Sequence, residues 1–379
     1  MPICCPASST ALLTVVLAGG ALPPRLRLLR QFPDAAAALR AGPGAWRAAG
    51  CSPAQRARLA LPDEGYLAHG LAWLADERHH LLALTDPDYP ALLAQIEEPP
   101  VALFVDGDPT RLWHPAVAVV GSRSPSPGGR EHAHAFATTL AGDGWSIISG
   151  LATGVDAQAH EGALQVAGGM TVAVVATGLD QTYPPRHAAL HERIAATGAV
   201  VSEYAPGMPA SQAHFPARNR IIAGLSLGTL VIEAAQRSGA LITARCAAEA
   251  GREVFALPGS IRNPRARGCH RLIRQGAALV EEPAEVTAGL TALAQTLAGA
   301  LRTRLDAPTE QARPAPERAP SYTDPDYQCL WKALDHDPTG MDSLIQRSGL
   351  TAAQLSAMLL VMELDGKVMA AHGRYCRKP

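Results

Sequence analysis

Two stretches of the sequence decide the fold: VAVVGSRSPSPGG at residues 117–129 and SIISGLATG at residues 146–154. Each begins with a run of apolar, mostly β-branched residues and ends in a turn of small residues, and helical character follows. A strand, a glycine turn and a helix in succession direct backbone N–H groups and a helix N-terminus towards an anion. The first turn lacks the G-x-G-x-x-G spacing of dinucleotide-binding proteins and contains Arg123 instead. A guanidinium at this edge suits a phosphodiester better than a hydride-transfer cofactor.

Outward from these turns, strands and helices alternate as far as residue 288. The apolar runs predict strands over 81–84, 101–105, 117–120, 146–149, 171–176, 199–203, 228–232, 253–257 and 278–280. Helices are predicted over 128–142, 155–167, 186–196, 239–250 and 267–275. Nearly continuous apolar strands separated by helices are typical of a parallel sheet covered on both faces. The predicted fold class is therefore α/β, with an extended Rossmann-like, doubly wound, mainly parallel sheet.

The regions on either side of the sheet have different patterns. Apolar residues at helical spacing, interrupted by Gly and Pro, predict a small helical domain over 1–75 ahead of the sheet domain at 76–295. A Pro-rich linker is predicted at 296–320. Over 321–379, helices at 330–334, 341–348 and 352–364 and a hairpin starting at 367–369 follow the winged-helix order. Its near balance of charges leaves DNA contact and protein interaction equally open.

Composition limits the function. The chain has 379 residues, 47% of them hydrophobic, and a net charge of −1, which is typical of a soluble globular protein. Any contact with nucleic acid must therefore come from a local basic patch. Seven cysteines without a C-x-x-C pair indicate reduced thiols in a cytoplasmic protein, with no metal site. The apolar run at 11–17 is too short to span a membrane.

No arrangement of residues predicts catalysis. The chain has neither a nucleophile elbow nor paired carboxylates for a metal. Asp156 follows Gly154 at a helix start, where capping and the helix dipole explain an acidic residue. We expect His160, one turn later, to bond to Asp156 or to the neighbouring loop.

The segment HFPARNRII at 214–222 is the second informative stretch. It combines an exposed aromatic residue, Phe215, with two arginines that flank Asn219, and this pairing suits the π faces and phosphates of single-stranded nucleic acid. We interpret Arg218 as a ligand-binding residue. For Arg220, a ligand contact and an ion pair with Glu203 or Glu233 are equally favoured.

These motifs resemble the DNA-processing protein A (DprA, also called Smf) family. The matching segments are VAVVGSR, SGLATGVDAQAH, TGLDQTYPP, SEYAPG, HFPARNRIIAGLS, VIEAAQRSGALITA, and VFALPGS followed by GCHRLIRQGA. The resemblance covers nearly the whole chain and implies a sterile-alpha-motif-like helical domain, an extended Rossmann-like domain and a winged helix. It also implies a protein without catalytic activity or cofactor. Such a protein binds and protects single-stranded DNA, forms a homodimer through the Rossmann-like domain, and loads RecA recombinase during natural transformation.

The resemblance also implies the DNA-binding residues. Arg123 of the G-S-R turn is the principal contact, and Phe215, Arg218 and Asn219 line the same pocket. The other expected DNA-binding positions are Gly121, Ser122, Gly150, Arg220, Ser238 and Thr243.

Two positions depart from the family pattern. Relatives often have a basic residue shortly before the F-P dipeptide, where this chain has Gln212 and then His214. The chain also has Gly268-Cys269-His270 where glycine-x-asparagine is usual. The first departure predicts weaker or more pH-sensitive DNA binding, and the second affects the local loop and a nearby dimer surface.

Two other functions compete with DNA binding and RecA loading. One is a nucleotide-processing enzyme of the phosphoribohydrolase type on the same sheet, although the string at 224–233 lacks the P-G-G turn of those enzymes. The other is a winged-helix transcription regulator, which the slightly acidic tail does not favour.

Overall fold

The computed structural model describes residues 6–306, 325–334, 339–351, 355, 358–359, 362, 367–371 and 374–377. The chain divides into two compact units, Met1–Arg304 and Leu305–Pro379. Among the described residues, no helix has both the length and the apolar character needed to cross a membrane.

A nine-stranded sheet forms the centre of the first unit. Its strands are β1 (His79–Ala83), β2 (Ala102–Gly107), β3 (Ala116–Val120), β4 (Ser146–Ser149), β5 (Thr171–Val174), β6 (Ala199–Ser202), β7 (Gly228–Val231), β8 (Glu253–Ala256) and β9 (Ala278–Leu279). They lie in the order β1-β2-β6-β5-β4-β3-β7-β8-β9. Neighbours from β6 to β9 are parallel, whereas β1, β2 and β6 pair antiparallel. The predicted mainly parallel, doubly wound sheet is confirmed.

Helices surround this sheet. They are α1 (Pro6–Leu17), α2 (Leu22–Gln31), α3 (Ala35–Arg40), α4 (Gly42–Ala48), α5 (Pro53–Ala60), α6 (Glu64–Trp73), α7 (Ala91–Ala94), α8 (Pro127–Gly142), α9 (Val155–Gln165), α10 (Ala188–Thr197), α11 (His214–Leu225), α12 (Ala240–Glu249), α13 (Arg267–Arg274) and α14 (Pro283–Asp306), with short 3-10 helices at Pro109–Trp113 and Pro185–His187. All the strands and helices predicted around the sheet are present, with ends within two residues of the prediction.

Strand β3 shows how the sheet separates two apolar layers. Side chains alternate between faces along a strand, and every residue of β3 is buried. Val117 and Val119 belong to the core with α8, α9 and α14, whereas Ala118 and Val120 belong to the core with α11, α12 and α13. A strand that is buried on both faces requires an unbroken apolar run, which is what makes it recognisable in the sequence.

The N-terminal helices extend the core of the sheet. Leu13 and Trp46 belong to one buried cluster with Phe104 and Val200, which come from β2 and β6. The indole of Trp46 donates to Ala38 O at 2.9 Å, so its buried polar group is satisfied. Residues of the predicted helical domain therefore pack directly on the sheet.

The second unit has its own apolar core. Its described elements are α15 (Pro325–Ala333), β10 (Thr339–Gly340), α16 (Met341–Ser348), β11 (Val368–Ala371) and β12 (Arg374–Arg377), with strand order β10-β12-β11. Most of the predicted third helix, 352–364, lies outside the described residues. The described residues of that range are Leu355, Met358, Leu359 and Met362, which are helical and buried. The predicted hairpin is present as β11 and β12.

Two segments differ from the prediction. Helix α11 covers residues 214–225, a range over which the sequence analysis predicts no helix. Proline is tolerated in a first helical turn, whose N–H groups have no partner within the helix, and Pro216 occupies such a position. Helix α14 continues to Asp306, so the predicted linker at 296–320 begins inside a helix. Residues 307–324 of that range lie outside the described residues.

Candidate nucleic-acid interface

The G-S-R turn, Gly121-Ser122-Arg123, lies at the topological switch point of the sheet. The chain winds from β3 through β4, β5 and β6 to one side, and through β7, β8 and β9 to the other. The loops after β3 and β7 therefore diverge, and open α/β sheets bind ligands in the crevice that such loops leave. The G-S-R turn directly follows β3 at this crevice.

The loop between β4 and α9 holds the backbone of the G-S-R turn. Val155 N donates to Ser122 O at 3.1 Å, and Thr153 Oγ1 donates to Arg123 O at 3.1 Å. Gly154 has a φ of +86°, and a Cβ there would lie 2.7 Å from the carbonyl carbon of Arg123. Only glycine fits this close approach. The exposed side chain of Arg123 thus extends from a backbone that its neighbours fix.

An aromatic surface lies beside Arg123. Its Cζ is 5.5 Å from the centre of the Phe215 ring, and the Tyr183 ring lies 5.3 Å from Phe215 at an angle of 50°. Tyr183 is 48% exposed. These side chains combine flat apolar faces with a positive charge, which suits unpaired bases and their phosphates. The sequence analysis assigned no role to Tyr183, although its place in the loop after β5 puts it at the same sheet edge.

Arg218 has an internal position. It is 4% exposed, and its Nη1 donates to the carbonyl oxygens of Gly150, at 2.7 Å, and of Val174. Asp156 accepts from Gly150 N at 3.2 Å and interacts electrostatically with Arg218. Burial lowers the pKa of Arg218 to about 10, against the opposing effect of Asp156, so the guanidinium stays charged at neutral pH. Backbone carbonyls already receive these donors, and the direct ligand contact expected for Arg218 stays a prediction.

Arg220 forms an ion pair with Glu203. Nη1 and Nη2 of Arg220 each lie 2.7 Å from a carboxylate oxygen, and Nε donates to Glu98 O at 2.8 Å. Pairing with Glu203 was one of the two interpretations left open by the sequence, and it is the arrangement observed. A bidentate pair with an additional carbonyl acceptor uses most of the planar donor set of the arginine.

The carboxylate of Glu233 accepts hydrogen bonds at the N-terminus of α8. Its carboxylate accepts from N and Oγ of Ser126, the N-cap of α8, at 2.8 and 2.7 Å, and from Nδ2 of Asn263 at 2.9 Å. A Cβ on Gly129 would lie 2.6 Å from this carboxylate. The loops after β3, β7 and β8 therefore meet at one buried anion.

Ser122 and Ser238 are half-buried at the same sheet edge. Ser122 Oγ accepts from Ser124 N at 3.1 Å, and Ser238 Oγ accepts from Ala240 N at 3.3 Å. Each hydroxyl stabilises its own turn as an acceptor and still has its proton to donate to another oxygen.

Other predicted positions lie beneath this surface. Asn219 Nδ2 donates to Gly239 O at 3.2 Å, which joins α11 to the start of α12. Thr243 is 2% exposed within α12. A Cβ on Gly121 would lie 2.7 Å from the Val155 side chain. These residues have packing roles in the structure, and direct contact with DNA stays a prediction for them.

His160 bonds to Thr171, the first residue of β5, rather than to Asp156 or the neighbouring loop, so that expectation is wrong. Its Nδ1 lies 2.7 Å from Thr171 Oγ1, whose own proton is donated to Ile147 O at 2.7 Å. His160 Nδ1 is therefore the donor, and Nε2 has no partner among the described residues. Burial lowers the pKa of His160 to about 3, so the imidazole is neutral at physiological pH.

The fold and the site place the chain in the class of doubly wound α/β proteins that have an arginine and aromatic side chains at the switch point of the sheet. A second unit of helices and a hairpin follows the sheet unit in the sequence. A family model described as DNA recombination-mediator protein A matches residues 80–291. A second model, described as DprA winged helix domain, matches residues 313–374. The chain belongs to the DNA recombination-mediator protein A (DprA) family, which confirms the resemblance seen in the sequence.

Similar proteins come from several bacteria. Protein Smf of Escherichia coli K12 is 42% identical over 310 residues, which cover 81% of this chain and 79% of that protein. DprA of Streptococcus pneumoniae R6 is 47% identical over 206 residues, covering 54% of this chain and 72% of that protein.

Two solved structures of DprA proteins are also similar. The X-ray structure of DprA from Streptococcus pneumoniae has a TM-score of 0.67 at 36% identity and covers 74% of this chain and 98% of that chain. The structure of DNA processing protein A from Helicobacter pylori, described for its single-stranded DNA binding mode, has a TM-score of 0.50 at 28% identity. It covers 60% of this chain and 97% of that chain.

We predict that Gly154→Ala lowers the free energy of unfolding by about 2 kcal/mol or more, since a side chain there combines an unfavourable φ with a backbone clash. Urea unfolding followed by circular dichroism measures this. The matched control is Gly142→Ala, because a Cβ at Gly142 meets no atom within 4 Å and alanine is favoured in helices. Equal stability of the two variants would contradict the role assigned to Gly154.

We predict that His160 makes the first unit acid-sensitive. The folded pKa of about 3 lies below the value of 6.5 for a free histidine, so the unfolded chain binds more protons between these values. Stability therefore falls as the pH drops below 6.5, by about 2 kcal/mol at pH 5 for this group. His160→Gln removes this contribution. Urea unfolding at pH 7 and pH 5 should show a smaller loss in the variant, and parallel losses would refute the assignment.

Proposed function

We propose that this chain is a non-enzymatic, single-stranded DNA-binding protein that protects incoming DNA and loads RecA recombinase onto it during natural transformation. The observation that carries the proposal is the surface formed by Arg123, Phe215 and Tyr183 at the sheet edge. Each unpaired base that stacks on an aromatic ring contributes about 1–3 kcal/mol. Bases in a duplex are already stacked on one another, so this surface favours single strands.

The G-S-R turn supplies the hydrogen-bond donors for a phosphate group of the DNA. Arg123 is exposed and has five donors in a plane, and the Ser122 hydroxyl beside it has a proton free to donate. Because the backbone of this turn is held by Gly154 and its neighbours, little conformational entropy is lost when a phosphate binds. The likeness to the Helicobacter pylori protein, described for its single-stranded DNA binding mode, supports the same ligand for this chain.

RecA loading and a cytoplasmic location are supported by membership of a family described as a recombination mediator. A homodimer through the Rossmann-like domain is supported by the open edge of the sheet. Strand β9 pairs only with β8 within the described residues, and its Leu279 is 47% exposed. An unpaired edge strand with an exposed apolar side chain is a common site of association.

A nucleotide-processing enzyme on the same sheet requires an open phosphate-binding turn and a free acid. The glycine turns here are filled by the chain itself: Gly129 approaches Glu233, Gly150 approaches Arg218, and Gly154 approaches the G-S-R backbone. Glu233, the acid of the 224–233 string, is buried and accepts three hydrogen bonds. These observations favour a binding protein over the enzyme.

We predict that Arg123→Ala weakens binding of oligo-dT about 10- to 100-fold, because one charged phosphate contact is lost. The slope of log affinity against log salt should become shallower by about 0.7 to 1. Fluorescence anisotropy across a salt series measures both quantities.

The control for Arg123→Ala is Arg40→Ala, an exposed arginine of α3 that carries the same charge. It should leave both the affinity and the slope unchanged. Tight binding by Arg123→Ala would move the DNA site away from the switch point, and binding of duplex as tight as single strand would contradict the proposal.

We predict a different signature for Phe215→Ala. Loss of stacking should weaken binding roughly 5- to 150-fold, the equivalent of about 1–3 kcal/mol, with no change in the salt slope. Phe215→Tyr should retain most of the affinity, because it keeps the ring. A salt slope that falls with Phe215→Ala would mean that the ring acts only by positioning Arg123.

A further inference from the structure

The N-terminal part of the chain has a concentration of positive charge that the rest of the chain does not share. Residues 1–62 contain seven arginines and one aspartate, a net charge of +6, so the remainder of the chain has a net charge of −7. The aspartate, Asp34, is the N-cap of α3 and accepts from Ala37 N at 2.7 Å. Among the described residues, the arginines that form ion pairs all lie later in the chain, from Arg78 onwards. Such a charge asymmetry within one chain is typical of contact with a polyanion.

Two of these arginines meet at the C-terminus of α1. Arg25 Nη1 donates to Val16 O at 3.2 Å, and Arg58 Nη1 donates to Ala18 O at 3.2 Å. Arg25 belongs to α2 and Arg58 to α5. The carbonyl groups at the end of a helix have no partner within the helix, and they favour a positive charge.

The C-terminus of α4 has the same arrangement. Arg27 Nε donates to Ala49 O at 2.9 Å, and Arg56 Nη1 donates to Cys51 O at 2.7 Å. Arg27 belongs to α2 and Arg56 to α5, so each of these two helices contributes one arginine to each terminus. Cys51 lies within electrostatic range of Arg25, Arg27 and Arg56. The two pairs of arginines therefore lie side by side.

We call Arg25, Arg27, Arg56 and Arg58 the arginine face. Arg27 and Arg58 are exposed, and Arg25 and Arg56 are half-buried. Each helix C-terminus has the equivalent of about half a negative charge. Two termini therefore offset about one of the four positive charges, and an excess of about three stays at the surface. Helix capping explains where these arginines lie but leaves most of their charge without a counterion from the chain.

The arginine face lies next to the aromatic side chains of the DNA site. Arg25 interacts electrostatically with three residues of α11 and the loop after β6, namely Glu203, Tyr204 and Arg220. The Tyr204 ring stacks on His214, with ring centres 3.9 Å apart and an angle of 19°. His214 directly precedes Phe215 in α11. A strand whose bases stack on Phe215 therefore reaches the arginine face by way of Tyr204 and His214.

We propose that a single strand bound at the G-S-R turn and Phe215 continues onto the arginine face, which contacts its phosphates. This inference rests on the proposed function and gives the N-terminal helices a share in DNA binding. The aromatic residues of this part of the chain, Phe32 and Trp46, are not exposed, so the face offers charge without a surface for stacking. Its contribution should therefore depend strongly on salt and on the length of the strand, because a short strand occupies the switch point alone.

The test is a triple variant of the full chain, Arg27→Gln, Arg56→Gln and Arg58→Gln, which introduces a residue of good helix propensity. Arg25 is left unchanged because both of its Nη atoms donate to backbone carbonyls. Fluorescence anisotropy is measured with labelled oligo-dT of about 5 and about 20 nucleotides, lengths chosen around the span of single-strand sites. The longer strand should bind at least tenfold more weakly, with a salt slope shallower by about 2. The affinity for the shorter strand should stay within twofold of wild type.

A charge-preserving variant separates DNA contact from helix capping. Replacing the same three arginines by Lys keeps the charge but removes the planar set of donors. The salt slope for the longer strand should then equal that of wild type, because counterion release depends on charge. A slope as shallow as that of the Gln triple variant would overturn the inference, since the arginines would then act through local structure.

A matched pair of single variants keeps the test valid if the triple variant fails to fold. Arg27→Gln should make the salt slope for the longer strand shallower by about 0.7, the value for one phosphate contact of a single strand. Arg40→Gln, at another exposed arginine of the N-terminal helices, removes the same charge outside the arginine face and should leave the slope unchanged. Equal slopes for the two single variants would overturn the inference.

The outcomes separate this inference from the proposed function. Unchanged binding of the longer strand by the Gln triple variant would overturn the contact with the arginine face and leave the switch-point site in place. An equal loss for both lengths would also overturn it, since a general charge or folding effect would then be responsible. Failure of the wild-type chain to bind either strand would overturn the proposed function itself.

Discussion

The buried guanidinium of Arg218 is the interaction on which the site depends. A charge removed from water costs several kcal/mol unless its surroundings compensate for it. Here the carbonyl oxygens of Gly150 and Val174, at the ends of β4 and β5, accept its hydrogen bonds, and Asp156 supplies the opposite charge. Arg218 thereby ties α11 to two strands at once. Phe215 lies one turn earlier on the same helix, so an internal arginine determines where the external aromatic ring stands.

Much of this fold is predictable because its local signals agree with its tertiary structure. Strands buried on both faces need unbroken apolar runs, and sharp turns at their ends need small residues, so both features are visible in one sequence. Helix α11 is not predicted because its local signals disagree with its tertiary structure. Its first turn contains Pro216, and its buried face includes polar residues such as Arg218 and Asn219. The helix is stabilised by contacts with distant strand ends, which no local pattern reveals.

The site is predictable only in part, for a related physical reason. The exposure of Arg123 is predictable from its position in a short turn at the switch point, because a long side chain in such a turn extends into solvent. The role of Arg220 depends on whether an acidic residue lies within reach, and only the fold brings Glu203 there. Thr243 has the right chemistry for a phosphate contact, but helix packing turns it inward. Tyr183 is the opposite case: the sequence gives it no role, but the fold brings it from the loop after β5 to lie beside Phe215.

Charge is distributed unevenly at this sheet edge. A Rossmann-like sheet offers its helix N-terminus to one phosphate group. In this chain Glu233 occupies that position at α8 and accepts the Ser126 donors, so this single-phosphate site is filled from within. Exposed guanidinium groups, such as that of Arg123, lie outside this filled position. Dispersed charges bind weakly to one phosphate and strongly to many in a row, because each contact adds its own counterion release. An internal anion with external cations is thus an arrangement that the proposed single-stranded ligand fits better than a single nucleotide does.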